Sequence, residues 1–459
     1  MLIYLLRRIL LMIPTLLGIT IVVFAVMASA PGGISADSLV NGMDMKPEQK
    51  QALRDYYNKR YGLDDPLPIQ YLRWLNNVSP IGFTFNEQRE INGFSFTKGS
   101  DLGDSFNYGR PVADLIGERL PITLLLNVIT IPLIYIIAII IGMNAARDRG
   151  GRFDVTSNVI MLALWSIPSM LAGVLMIGFF ASIQHWQWFP TSGLNSREAL
   201  EMPFLPHWSS LLDVAKVFIF MIIGIILSYQ LSQCQPLKVR IGIASLIGLA
   251  LGTWMAYSHA SFVLFNWLFL PLLGALTLAL FAATKVATFR IGGLTMFGAG
   301  IGLMLAVQLS SGDFLRGFLF DRSWHLVLPI IALSYGGFAA LAKIMRTSIL
   351  ENLNADYART ARAKGVAESD VLWKHVFRNS LLPLITILAG LLPSLLGGSI
   401  IIEQIFSIDG MGKLVIEATM ARDREVVLSI TLIAGLLTLV GYLISDFLYT
   451  LVDPRIQYD

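Results

Sequence analysis

Few side chains in this sequence are placed to do chemistry. The five histidines, His185, His207, His259, His325 and His375, are scattered, and Cys234 is the one cysteine. That excludes an intrachain disulfide and any cysteine-based metal cluster. There is no G-x-x-x-x-G-K-[ST] stretch to cradle nucleotide phosphates and no H-E-x-x-H pair to hold zinc. What stands out is one polar, basic segment between about Arg346 and Ser380, and a handful of polar residues inside long apolar runs. Asn127, Glu403 and Asp446 lie in such runs, where polar side chains are functional candidates by default. Each also has a plainer reading. Asn127 can serve as interhelical hydrogen-bond glue, Glu403 can reach the interface, and Asp446, close to Tyr449, can form an ion pair or cap. Gly390, Pro393, Gly397 and Gly398 crowd a single run. Proline removes a helical hydrogen bond and forces a bend, and glycines admit close packing. This run therefore reads either as a bent pore-lining helix or as a tightly packed one. Gly248/Gly252 and Gly298/Gly302 have G-x-x-x-G spacing, a weak signal in glycine-rich runs.

The elements that must position these residues are membrane spans. Of 459 residues 55% are hydrophobic and only 14% charged, where a soluble domain carries about 25% charged. Mean hydropathy is +0.66. The net charge is +3, which with no long basic block argues against a nucleic-acid partner. A spanning helix needs about 20 mostly apolar residues. Ten stretches qualify: 9–29, 121–143, 156–182, 214–231, 239–257, 263–283, 291–309, 324–345, 381–403 and 426–450. The expected fold is thus an all-α polytopic membrane protein. The first stretch follows Arg7 and Arg8 and ends near Ala28-Ser29-Ala30, like a signal peptide, but it exceeds the 7–15 residues of a signal core and reads as a retained helix. With the N-terminus inside, Arg7 and Arg8, Arg147, Arg149 and Arg152, Lys238 and Arg240, Lys285 and Arg290, and the basic residues from Lys343 to Arg378 all fall on the cytoplasmic side, as the positive-inside rule requires. Both termini are then cytoplasmic.

The organisation that follows is a first transmembrane helix at 1–30, an external segment at 31–119, helices at 120–183, an external loop at 184–213, four further helices at 214–310, and a final block at 324–459. Within the external segment, Pro31-Gly32-Gly33 punctuates the chain and Pro47 to Leu75 reads as helical. No fixed-period repeat is expected. Within the polar segment 346–380, Asn354 suits an N-cap for a helix over 355–364, Gly365 suits its stop, and a second helix fits 368–379. Ala358 and Ala361 beside Tyr357 and Arg362 suit insertion into a groove on a partner. The plainer reading is a solvated basic loop.

The motif Asp356-Tyr357-Ala358-Arg359-Thr360-Ala361-Arg362-Ala363-Lys364-Gly365, followed by Arg378-Asn379-Ser380-Leu381-Leu382-Pro383, resembles the EAA loop of binding-protein-dependent ABC importer permeases of the dipeptide/oligopeptide type. Tyr4-Leu5-Leu6-Arg7-Arg8, Ile13-Pro14-Thr15-Leu16-Leu17-Gly18, Tyr61-Gly62-Leu63-Asp64, Asp101-Leu102-Gly103-Asp104-Ser105 and Arg119-Leu120-Pro121-Ile122-Thr123-Leu124 resemble further stretches of that family. So do Glu403-Gln404-Ile405-Phe406-Ser407, Gly410-Met411-Gly412 and Asp453-Pro454-Arg455-Ile456. The resemblance covers roughly 1–200 and 323–459.

The resemblance implies a type I permease core of six helices and a place in the bacterial inner membrane. It implies a second homologous permease subunit as heterodimer partner, one or two ABC ATPase subunits, and an external solute-binding protein. No cofactor is expected on this chain, since ATP is used by the partner ATPases, and no metal. Asp356 to Gly365 become the ATPase-coupling element, with Pro383 marking its entry into the pore helix. Asn127, Gly390, Pro393, Gly397 and Gly398 become pore-lining or hinge candidates. The four extra helices between core helices 3 and 4 depart from the family pattern. They read as a lipid-facing bundle or as a docking site for an extra subunit. Rival functions are a stand-alone ion-coupled carrier or channel, which the scarcity of buried charge opposes, and a non-transporting membrane scaffold.

Overall fold

The computed structural model describes residues 2–29, 46–61, 64–85, 91–208, 211–258, 264–309, 314–315 and 317–452. Pro31-Gly32-Gly33, Gly62-Leu63, His259 and the closing 453–456 motif lie outside the described residues, as do the side chains of Arg7, Arg8, Tyr449 and 389–398. Helices occupy all ten apolar stretches. They are α1 (Leu2–Ser29), α4 (Val112–Arg147), α5 (Arg152–Ser166) with α6 (Ser169–Met176), α7 (Leu211–Gln233), α8 (Leu237–Ser258), α9 (Leu264–Ala283), α10 (Ala287–Gln308), α11 (Gly317–Leu353), α13 (Leu382–Ile405) and α15 (Arg424–Val452). Shorter helices are α2 (Pro47–Tyr61), α3 (Leu67–Val78), α12 (Asp356–Ala363) and α14 (Met411–Met420). Among the described residues two antiparallel strand pairings interrupt them, β1 (Gly82–Phe85) with β2 (Ile91–Ser95) and β3 (His207–Trp208) with β4 (Phe314–Leu315).

Two expectations about the spans are corrected. The stretch 156–182 is not one straight helix. It breaks at Ile167-Pro168 and bends by 90°. Proline pushes its preceding residue out of the helical region, and Ile167 is extended at φ −85°, ψ 121°. The carbonyl freed there accepts the Tyr335 hydroxyl at 2.6 Å. Helix α4 begins at Val112, inside the segment expected to end at 119, and α11 begins at Gly317, before the expected 324.

The chain divides into two compact units, 1–138 with 347–459, and 139–346. The first unit packs Val112, Leu115 and Ile116 of α4 against Met411, Leu414 and Ala418 of α14 and Val426 and Ile430 of α15. Phe24, Tyr71, Trp74, Val78 and Leu428 form a second apolar cluster. Polar anchors tie the stretch around Ser105 and helix α3 to the start of α15. Ser105 Oγ donates to Asp423, the Asn107 amide donates to the same carboxylate at 3.1 Å, and Arg424, paired with Glu425, donates to Gln70 at 3.1 Å. Gly103 turns at φ +76°, its amide on Asp101 at 2.8 Å, and a Cβ there would press on Glu425.

The second unit contains a repeat, which corrects the expectation of none. Helices α7–α8 and α9–α10 are related by an offset of 50 residues, matching Gly224 to Gly274, Arg240-Ile241-Gly242 to Arg290-Ile291-Gly292, Gly248 to Gly298 and Gly252 to Gly302. The two copies pack crosswise, α7 on α10 and α8 on α9. At the crossings glycine meets backbone. A Cβ on Gly224 would strike the Gly298 carbonyl, and one on Gly274 the Gly248 carbonyl. Gly302 meets Phe220 as Gly252 meets Leu270. These contacts are images of each other under a pseudo-two-fold axis, so the two G-x-x-x-G pairs are the helix-crossing seams.

Candidate functional site

The polar segment after α11 builds a compact lever. Helix α12 holds eight residues and ends on Lys364, after which Gly365 takes φ +77°. The Gly365 amide bonds the Arg362 carbonyl at 2.9 Å and the Val366 amide bonds the Ala361 carbonyl at 3.2 Å. This is a Schellman stop, in which the left-handed residue lets the last carbonyls find partners. Gly365 thus acts as expected. Asn354 does not. Ala355 is the N-cap residue, and the Asn354 side-chain Nδ2 donates back to the Leu350 carbonyl at 3.0 Å, closing α11 instead.

The inner face of α12 is covered by its own chain. Ala358 and Ala361 are buried, and α12 packs on the helical run 368–380, where Val371, Leu372 and Val376 are also buried. The expected insertion of the alanine face into a partner's groove is corrected accordingly. Between 371 and 376 that run widens to a π-turn. Arg362 clamps three pieces together, with two bonds of 2.9 Å to Glu368 and one of 3.0 Å to the Leu353 carbonyl. The Arg362 guanidinium holds the Glu368 carboxyl below its ordinary range. Tyr357 anchors on Asn352 at 2.5 Å, and Ser348 and Ser380 exchange hydroxyl–carbonyl bonds between α11 and the run. Asp356, Arg359, Thr360, Ala363 and Lys364 remain exposed. Beside them stands Trp373, 52% exposed, its ring 5.2 Å from Phe377. Trp373 escaped the sequence reading, although an aromatic in a basic loop was its signal. Pro383 opens α13 in the first turn, where a missing amide hydrogen costs nothing. Arg346, at the head of the segment, is bound through two bonds to Asp154 of α5 and is not part of the exposed surface.

A second constellation is buried. Glu403 was expected to reach the interface. It is wholly enclosed and accepts bonds from Thr123 Oγ1 at 2.8 Å and the Lys413 amide at 3.0 Å, with Ser399 and the Gly412 amide also on it. Thr123 in turn accepts the Met411 amide at 2.8 Å, and Arg119 pairs with Asp409 at 2.8 Å. A Cβ on Gly410 or Gly412 would collide with this node. Three separated motifs, Arg119 to Thr123, Glu403 and Gly410-Met411-Gly412, therefore meet at one point. At its rim, Lys413 and Arg119 hold the Asp409 carboxyl low against the opposing effect of burial. Burial and the Glu417 hydrogen bond push the Tyr108 hydroxyl up to about 12.

Of the pore or hinge candidates, Asn127 is buried on α4 and its Oδ1 has no hydrogen-bond partner among the described residues. Gly390, Pro393, Gly397 and Gly398 lie within α13, whose helix runs through them, while their side-chain surroundings lie outside the described residues. Asp446 is half-buried on α15, next to Ser445, whose hydroxyl bonds the Ile385 carbonyl at 3.0 Å.

Helices long and apolar enough to cross a membrane, joined in part by a polar loop that carries a short capped helix, define a polytopic membrane protein. The chain belongs to the family described as binding-protein-dependent transport system inner membrane component, matched over residues 138–458, and its N-terminal counterpart matches residues 1–127. It is similar to the oligopeptide transport system permease protein AppB of Bacillus subtilis, 30% identical over 99% of both chains. It is also similar to the inner membrane ABC transporter permease protein YejB of Escherichia coli O157:H7, 26% identical over 99% of both chains. The peptidoglycan transport system permease protein YejB of Agrobacterium fabrum is 27% identical, over 99% of this chain and 98% of that protein.

Proposed function

We propose that this chain forms the translocation pathway of an ABC importer for peptides or peptide-like solutes, and that segment 346–380 receives the mechanical stroke of a separate ATPase subunit. The observation that carries this is the construction of α12. Its inner face is buried, its C-terminus is locked by Gly365, Arg362 ties it to α11 and to residue 368, and its outer face is free. A partner can shift a two-state pore only by contacting it differently in each state, and a rigid element transmits such a shift where a loose loop would absorb it. The peptide-transport names of the relatives support the substrate class. A heterodimeric sister permease, one or two ATPases and an external binding protein complete the assembly. The Lys/Arg bias supports cytoplasmic termini. ATP is consumed by the partners, and this chain holds no cofactor of its own.

Crosslinking tests the reading. In a Cys234→Ser background, Arg359→Cys or Thr360→Cys should capture a nucleotide-hydrolysing subunit, while Ala358→Cys should not. Gly365→Pro cannot adopt φ +77° and loses the 2.9 Å amide bond. It should leave the protein in the membrane but uncouple ATP hydrolysis from uptake. Full uptake in Gly365→Pro, or ion-driven transport by the chain alone in liposomes, would overturn the proposal.

A further inference from the structure

We infer that the four-helix repeat bundle binds one anionic phospholipid, with the phosphate between Arg240 and Arg290 and an acyl chain in the bundle's cavity. The cavity measures about 370 Å³ and takes its walls from all four helices, including Leu231 of α7, Ala244 of α8, Leu278 of α9 and Leu294 of α10. That size lies within the range of small-ligand pockets, about 300–1,000 Å³. The lining is apolar apart from Ser228, whose hydroxyl is spent on the Gly224 carbonyl at 2.6 Å. Nothing in it could repay the desolvation of a polar ligand, and a hydrocarbon chain needs no such repayment.

One turn beyond this lining stand the two arginines, four residues before Ala244 and Leu294, and side chains four apart share a helix face. They meet at the same place. Arg240 donates to the Ala282 carbonyl at 2.7 Å and to the Cys234 carbonyl at 3.0 Å. Arg290 donates to the Thr284 carbonyl at 3.3 Å. These bonds close the ends of α7 and α9 without neutralising either guanidinium. Arg290 Nε is buried with no acceptor among the described residues. Between 211 and 308 the one carboxylate is Asp213, in the first turn of α7 at the opposite end of that helix, where it holds Lys216 at 2.8 Å. On α5, whose Phe153 ring lies 5.3 Å from Phe289, Asp154 is taken by Arg346. Lys238 and Lys285 add further positive charge at the arginine end.

Two like charges beside an apolar cavity are costly unless an anion joins them. The repeat brings Arg240 and its equivalent Arg290 to one end of the cavity, which suits one anion shared between two. A phosphate diester carrying hydrocarbon satisfies both the cations and the cavity, whereas free phosphate satisfies only the cations. Basic pockets between membrane helices are known to take anionic headgroups. The site is independent of which solute the transporter carries.

Native mass spectrometry of the full chain in detergent tests this, titrating phosphatidylglycerol against phosphatidylcholine with the same acyl chains. One saturable phosphatidylglycerol is expected. Each guanidinium should contribute roughly fivefold, so the two together should give a preference of about 25-fold. Arg240→Gln and Arg290→Gln should each lose about fivefold of that preference, and the double variant should lose all of it. Because both arginines also close helix ends, a second variant spares them. Ile247→Phe places in the cavity wall the residue its repeat equivalent, Phe297, already carries, and should weaken binding of both lipids with the helical circular dichroism unchanged. Equal binding of the two lipids, an unchanged preference in the double variant, undiminished binding in Ile247→Phe, or displacement by inorganic phosphate alone would overturn the assignment.

Discussion

The buried node around Glu403 and the repeat bundle hold helices together by opposite means. In the node the Glu403 carboxyl, with no solvent exposure, gathers a threonine hydroxyl and backbone amides from two other stretches of chain. In the bundle glycines bring helix backbones into direct contact. Both answer the same problem. Lipid tails are as apolar as leucine, so helices in a bilayer gain little by hiding apolar surface from it and must associate through hydrogen bonds or close packing. Polar glue fixes one geometry, because every donor must find its acceptor. Glycine seams fix distance but leave few directional constraints. The first suits a junction that keeps motifs in register. The second suits a bundle built by copying one hairpin.

The strongest way to break the comparison is to fill a seam. Gly248→Leu should destabilise the bundle by about 4 kcal/mol, above the usual 1–3 kcal/mol of overpacking because backbone and not side chain stands in the way. Gly298→Leu, its repeat equivalent, should cost about the same. Gly242→Ala and Gly292→Ala, where a Cβ would meet open space, should be nearly neutral. Denaturant unfolding of the full chain in detergent checks all four, and unequal costs for Gly248 and Gly298 would break the pseudo-symmetry.

Glu403→Ala attacks the other side of the comparison and is expected to cost somewhat less, about 3 kcal/mol, by orphaning the Thr123 hydroxyl and the Lys413 amide. Glu403→Gln keeps an acceptor and should recover part of this. Equal loss in both would mean that the charge, not the hydrogen bonding, holds the node. Thermal unfolding of the purified chain reads the difference.

These two regions also show what a sequence discloses. Spans are legible because a bilayer demands long apolar runs, and every predicted run is helical, 156–182 as two pieces broken at Ile167-Pro168. Proline is less legible. Pro14, Pro132, Pro271 and Pro329 sit inside continuous helices, whereas Pro168 ends one. At 167–168 a distant tyrosine, Tyr335, donates its hydroxyl to the freed Ile167 carbonyl. The stop of α12 is legible because a left-handed turn needs glycine. The direction its alanines face is not, since small residues suit a partner's groove and the chain's own interior equally. Glu403 is opaque for a related reason, as Thr123 lies 280 positions away. The repeat is hidden by drift. Apolar positions exchange freely among Leu, Ile, Val and Phe, and the matches that survive are few: the glycines at crossings and the Arg-Ile-Gly stretches at 240–242 and 290–292.

The smallest expected effect lies on the exposed Arg362–Glu368 ion pair beside α12. The Arg362 hydrogen bonds depress Glu368, so the pair contributes fully above the ordinary glutamate range, and its contribution disappears as pH falls through the depressed value. Being largely exposed and screened, it is worth only about 0.5 kcal/mol. Glu368→Gln should therefore loosen α12 slightly at neutral pH and abolish its acid sensitivity. Hydrogen exchange at the Gly365 and Val366 amides is the direct readout, since these carry the Schellman stop. Exchange there should quicken on acidification in the parent and not in the variant. The Arg362 bond to the Leu353 carbonyl is untouched by acid, so protection should fall and not vanish. Complete loss would mean that the carboxylate alone, and not the three-way clamp, keeps the lever rigid.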